Sequence, residues 1–379
     1  METLLLIYMA SDNDLDNFAN SDFETIKKSS FESDITIVVQ YDRNEFIDFP
    51  ETSRVVLQRG EIIDDRTLGE TNTGDPKILN QFIEESVEAY PAQRIILILW
   101  SHGSGVDDKD PYQTDERKPY FVPVEEIEMI GFAKDDTARD FLDNLELKKA
   151  LDVSVKIDLL GFDACLMGMF EIAYQLRENI EVMVASQHLE PANGWNYAKI
   201  LQELETSKNP MEMGREFIAL HQSFHVDSNE ATQSALDTTT IDAVAKSLDH
   251  FAKLLREELK RTGGYARSRK DLYYTLENSQ FFSRTDYVDL IDFIHKVRDR
   301  LNFETLDAPI EELLALLDRF ILANHTVGYF MNDAYGVSLY FPYENRPYNE
   351  TFEMYEKLDF SKNYPNWIKL IKWFWIASQ

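Results

Sequence analysis

Arg94-Ile95-Ile96-Leu97-Ile98-Leu99-Trp100 is apolar without interruption after its first residue and runs straight into Ser101-His102-Gly103-Ser104-Gly105. A strand with one wet face alternates apolar and polar residues; a continuous apolar run bounded by turn residues is what a central strand covered on both faces requires. A second run, Val155 to Leu160, leads into Gly161-Phe162-Asp163-Ala164-Cys165. The chain therefore contains two buried strands, each followed by a turn of small residues that carries a reactive side chain.

Working outward, Thr3 to Met9 reads as a first strand, closed by Ser11-Asp12-Asn13-Asp14 and followed by a helix to about Lys28. Ile35 to Tyr41, Arg54 to Gln58 and Glu181 to Ser186 read as further strands. Asp75-Pro76 opens a helix in which Ile78, Leu79, Phe82, Ile83 and Val87 fall at helical spacing. Helices are also predicted over Asn144 to Leu151 and Met167 to Glu178. This alternation predicts an α/β fold over residues 1–200, a mostly parallel sheet with helices on both faces. Residues 201–379 read as mainly helical, with segments near Met211 to His225, Ile241 to Lys260, Tyr287 to Leu301 and Ile310 to Ala323. Gln233 to Asp237 and Gly336 to Phe341 are the strands expected there, so this region should pack on the core and add to its sheet. Gly263-Gly264 with the basic stretch Arg267 to Lys270 marks a hinge or exposed loop. The aromatic end, Trp367 to Trp375, reads as a helix docked on the core.

The 379 residues are 44% hydrophobic, enough for a large core, and carry a formal net charge of -30. That charge argues against nucleic acid as a partner, because phosphate binding needs clustered Lys and Arg, and it matches a cationic substrate. The single cysteine excludes an internal disulfide. No segment approaches the roughly 18 apolar residues of a membrane span, and Leu4 to Met9 is too short for a signal peptide. The chain is expected to stay in the cytoplasm unless a targeting segment has been removed.

In open α/β sheets, binding crevices form beyond the carboxyl ends of the strands. If the two buried strands are neighbours, His102 and Cys165 project into one crevice as a general base and a nucleophile, the imidazole lowering the thiol pKa. Gly103 lets a substrate carbonyl approach the backbone, and its N–H with that of Cys165 forms a candidate oxyanion hole. A lone cysteine is more commonly inert packing. Cys165, however, lies past the apolar run and behind a charged residue. Asp163, two positions earlier, tends to the same side of the strand, where a carboxylate would pair with a substrate Arg or Lys. The plainer alternative is that Asp163 caps the next helix. His221 and His225, four apart on a helix, have no evident third ligand and read as packing.

Leu97 to Gly103 (L-I-L-W-S-H-G) and Gly161 to Gly168 (G-F-D-A-C-L-M-G) resemble the His-Gly and Ala-Cys blocks of the clostripain family of cysteine peptidases. The opening Tyr8 to Leu15, the Val184-Ala185-Ser186 strand with Glu190-Pro191 and Gly194-Trp195, and Gly336 to Pro342 extend the similarity over nearly the whole chain. The resemblance implies a caspase-like fold, a His102–Cys165 dyad and endopeptidase cleavage of proteins or peptides after Arg or Lys. Glu190 and Asn193 are further candidates for the pocket, with Asn193 weakening selectivity for lysine where relatives carry a second acid. Relatives cut themselves after the catalytic histidine, which makes Arg117 and Lys118 in the loop 107–128 candidate processing sites. The chemistry requires no cofactor. Some relatives depend on calcium, and Asp107, Asp108 and Asp110 are candidate ligands, although their spacing matches no EF-hand loop. Relatives are often secreted or attached to the bacterial envelope. The alternatives are a non-catalytic binding module on the same fold and an acidic calcium-binding scaffold.

Overall fold

The computed structural model describes residues 3–30, 35–44, 51–110, 112, 131–191, 193–204, 209–226, 228–262, 264–344 and 349–376. Its strands are β1 (Thr3–Ala10), β2 (Thr36–Asp42), β3 (Thr52–Gln58), β4 (Glu61–Gly69), β5 (Arg94–Trp100), β6 (Phe132–Asp135), β7 (Asp140–Leu142), β8 (Ile157–Asp163), β9 (Ile180–Ala185), β10 (Ala231–Asp237), β11 (Tyr287–Asp289), β12 (Ile321–Val327) and β13 (Ser338–Tyr340). Nine of them form one sheet in the order β12-β10-β9-β8-β5-β1-β2-β3-β4. The five inner strands, β9 through β2, run parallel, and antiparallel pairs close both ends.

Each face of the sheet builds its own apolar layer, and the continuous apolar runs feed both. Leu4, Leu6 and Tyr8 of β1 with Ile95, Leu97 and Leu99 of β5 join one layer. Leu5, Ile7 and Met9 with Ile96, Ile98 and Trp100 join the other. Strict period 2 along strands buried on both sides is why these segments contain no polar residue to alternate with. The outermost strand β4 is exposed along most of its length, and Asp64, Asp65 and Arg66 discourage pairing with another chain at that edge.

Several sequence expectations are corrected. β4 was not foreseen, because an edge strand need not alternate. The predicted helix to Ala323 ends at Phe320, and the next residues become β12 on the far edge of the sheet. Tyr287–Asp289, predicted as the start of a helix, pairs as a short strand with Ser338–Tyr340, outside the main sheet. Arg267 to Lys270 lies not in a hinge but inside the helix Tyr265–Glu277, which packs Ser268, Leu272 and Leu276 inward. The last helix, Asn366–Ile376, docks with Trp367 buried and its indole N–H donating to the Tyr340 carbonyl at 2.9 Å.

Candidate active site

β5 and β8 are adjacent and parallel, with Trp100 opposite Asp163. The turns bearing His102 and Cys165 therefore leave the same edge of the sheet side by side. Their backbones are in close contact: a Cβ built on Gly103 would lie 2.2 Å from the Cys165 carbonyl oxygen, a separation only glycine permits. Among the described residues no protein acceptor takes the Gly103 N–H. Leu166, directly after the cysteine, is buried with φ +63, and its N–H is fixed by the His188 carbonyl at 3.0 Å. A non-glycine residue held in that region stores strain that its surroundings must overcome.

His102 is buried at 4% exposure, and its Nε2 lies 2.7 Å from Asp14 Oδ1 in the turn after β1. Burial alone would raise the Asp14 pKa, but the hydrogen bond and charge of His102 outweigh it and hold the carboxyl down at about 2. Asp14 thus holds Nε2, and among the described residues no hydrogen bond engages His102 Nδ1. Asp14 was missed in the sequence, where it is one acid among several in a polar turn.

His102 and Cys165 line a cavity of about 130 Å³ together with Asp163, Asp22, Glu190, Trp100, Phe18 and Gly194. β8 ends at Asp163, so alternation along the strand does not extend to Cys165; it is the shared cavity that brings the two together. Asp163 does not cap a helix: the next one starts at Phe170, and the carboxylate instead accepts from the Tyr197 hydroxyl at 2.7 Å. Asp22, which the sequence gave no reason to select, accepts from the Trp100 indole N–H at 3.0 Å. Glu190 accepts from the Trp195 indole at 3.5 Å, and its backbone N–H lies 3.3 Å from Cys165 Sγ. Asn193 is exposed and off the cavity lining, because the loop passes the pocket at Gly194, where an added Cβ would stand 3.4 Å from Asp22 and 3.6 Å from Asp163.

Burial pushes the Asp163 carboxyl up to about 8, and Asp22 beside it adds to the shift. Burial likewise raises Asp22 to about 6 and holds Glu190 well above the usual carboxylate range. The Cys165 thiol is pushed up to about 12, first by burial and then by the Glu190 and Asp163 charges, against the Glu190 N–H. His102 is not among the causes of that shift.

Behind Glu190, His221 and His225 do share a helix face, and β12 adds His325, whose Nδ1 is 3.0 Å from His221 Nδ1. Burial drives the His221 pKa down to about 3 and lowers those of His225 and His325 as well. Asp107, Asp108 and Asp110 have separate partners: Arg284 at 2.6 Å, Asn144 Nδ2 at 2.7 Å and the Tyr112 N–H at 2.8 Å. Arg117 and Lys118 lie outside the described residues.

A buried imidazole and a thiol at adjacent strand ends, over an acidic recess, define a cysteine peptidase of the caspase-like fold. The clostripain family model matches residues 7–374, and the chain belongs to that family. It is 22% identical to clostripain of Hathewaya histolytica over 91% of this chain and 75% of that protein. Its fold matches an inactive zymogen C11 protease of Parabacteroides distasonis (TM-score 0.71, 19% identity, 96% of this chain and 97% of that one). It also matches a secreted C11 cysteine protease of Bacteroides thetaiotaomicron bound to an irreversible peptide inhibitor (TM-score 0.68, 18% identity, 95% and 98%). The chain is thus a cysteine-type peptidase acting on proteins or peptides. No helix among the described residues is long and apolar enough to cross a membrane.

Proposed function

We propose that Cys165 and His102 cleave peptide bonds after Arg or Lys, with Asp163, Asp22 and Glu190 receiving the basic side chain. The observation that carries this reading is one cavity lined by the thiol, the imidazole and three carboxyl groups, the buried Asp163 and the half-buried Asp22 and Glu190, with no Lys or Arg in its lining among the described residues. A guanidinium matches paired carboxylates, while Trp100 and Phe18 cover its aliphatic stem. The similarity to clostripain supports the protease class, and the acids of this chain support the basic preference.

The thiol proton passes to His102 Nδ1 as sulfur attacks the carbonyl carbon, and Asp14 stabilises the resulting imidazolium. The Gly103 and Cys165 N–H groups face the developing oxyanion. His102 then protonates the leaving amine, and water, deprotonated by His102, hydrolyses the thioester. A bound cation also offsets the two carboxylates that oppose thiolate formation, so a basic substrate assists in activating its own nucleophile. Cleavage after Arg117 or Lys118 in the loop following His102 would be the same reaction on the chain itself.

Cys165→Ala is expected to abolish turnover. Asp163→Asn should lower kcat/KM on a peptide-Arg substrate by at least roughly a hundredfold, as loss of a partner to a buried charge does, and slow alkylation by iodoacetamide far less. Equal losses in both assays would refute the pocket role.

A further inference from the structure

A row of chain segments runs along the sheet edge that carries the site. Trp100 stands opposite Asp163, Gly161 opposite Val184, Ala185 opposite Ser234 and Ala231 opposite Val327. Counting on from these pairs, His102, Cys165, His188, Ala231 and Val327 fall at one level across the ends of β5, β8, β9, β10 and β12. Two contacts tie the row together: the Leu166 N–H donates to the His188 carbonyl at 3.0 Å, and His188 Nε2 lies 3.2 Å from Glu230 Oε2. At the far end of the row the chain turns at Gly328 and leaves two aromatic side chains in water, Tyr329 at 82% exposure and Phe330 at 69%.

The turn that presents them is firmly held. Gly328 has φ +101, and a Cβ there would lie 2.2 Å from the Asn229 carbonyl oxygen, so only glycine lets the turn lie against the segment entering β10. The Met331 N–H closes the turn on the Gly328 carbonyl at 3.1 Å, and Asn332 Nδ2 donates to the Tyr329 carbonyl at 2.8 Å. Met331, directly after the pair, is buried in the core. The two rings meet edge to face with centroids 5.5 Å apart. Single exposed apolar residues are ordinary, but paired rings fixed outward on a hydrogen-bonded turn mark a contact surface. A ligand that covers them has little ordering cost to overcome.

We propose that Tyr329 and Phe330 form a subsite for an apolar side chain of the substrate, about four residues before the arginine or lysine at the cut. The inference rests on the peptidase reading above, which fixes the direction of the bound chain. His102 protonates the leaving amine, so the departing half of the substrate lies over β5. The half that becomes acylated to Cys165 extends the other way, across the ends of β9 and β10. Three strand spacings separate β8 from β12. At about 4.8 Å each they amount to about 14 Å, which an extended peptide covers in about four residues at about 3.4 Å per residue. The acidic recess thus takes one cationic side chain, and the aromatic pair adds an apolar requirement upstream of it.

The test is cleavage, by the full chain, of a peptide series with arginine fixed before the cut and each preceding position changed in turn from serine to leucine. Leucine four residues before the arginine, or at a position adjacent to that one, should raise kcat/KM roughly tenfold over serine. In the double variant Tyr329→Ser, Phe330→Ser that leucine-to-serine ratio should fall to about one. The ratio is taken within each enzyme, so a loss of folded protein does not move it. Wild-type indifference to leucine at these positions, or a ratio retained by the double variant, overturns the subsite and leaves the basic preference standing. A wild type that cleaves none of the arginine peptides overturns both. Sedimentation velocity provides the second arm: a dimer that the double variant abolishes would assign the rings to a surface between two copies and overturn the substrate role.

Discussion

At the scale of single residues, Asp163 trades stability for recognition. Its carboxyl is raised to about 8 in the folded chain against an ordinary value near 3.8, so between these values the folded form holds a proton that the unfolded form has lost. Stability from this group is therefore full in acid and declines as pH rises through about 8. Asp163→Asn removes that decline: its thermal midpoint relative to wild type should climb between about pH 4 and pH 8 and level off above, and a constant difference would contradict the burial account. Basic substrates bind the ionised carboxylates, so KM for a peptide-Arg substrate should rise as pH falls below about 8, whereas a neutral-P1 ester should show no such trend. Gly103→Ala places a methyl group against the Cys165 carbonyl. Moving that N–H should cost roughly 10²–10³ in kcat with little change in KM, the signature of a lost oxyanion donor.

At the scale of elements, the register of β5 against β8 sets the site, since Trp100 opposite Asp163 puts both turns at one level. Leu97→Ala, at a fully buried position in the middle of β5, should destabilise the chain by about 2–5 kcal/mol in chemical denaturation while leaving KM of the remaining folded enzyme unchanged. A linked KM change would mean that the strand's register had slipped. The inner strands were legible because burial on both faces leaves mostly apolar runs, uninterrupted from Ile95 to Trp100 and broken in β8 by Asp158, and His102 and Cys165 were legible because each follows a buried strand. β4 and β12 were not, since edge strands are specified by their neighbours more than by their own pattern. Asp14 and Asp22 were equally hidden. Each draws its meaning from a partner far along the chain, the His102 imidazole and the Trp100 indole, and nothing in a local window distinguishes them from surface acids.

At the scale of the molecule, a net charge of -30 surrounds a recess that is itself acidic. Such a field draws cationic peptides in over distances comparable to the Debye length, about 10 Å at 0.1 M salt. Raising ionic strength should lower kcat/KM for multiply basic peptides more than for singly basic ones and leave kcat nearly constant; parallel declines would argue against steering. The sheet order has one last consequence. β5 sits between β1 and β8, so the ladder Ile96–Trp100 with Leu159–Asp163 spans any backbone break made between residues 110 and 131. A nicked molecule would separate into two bands only after boiling in detergent, and in native buffer it would elute as one particle with its sulfur and imidazole contributed by different polypeptides.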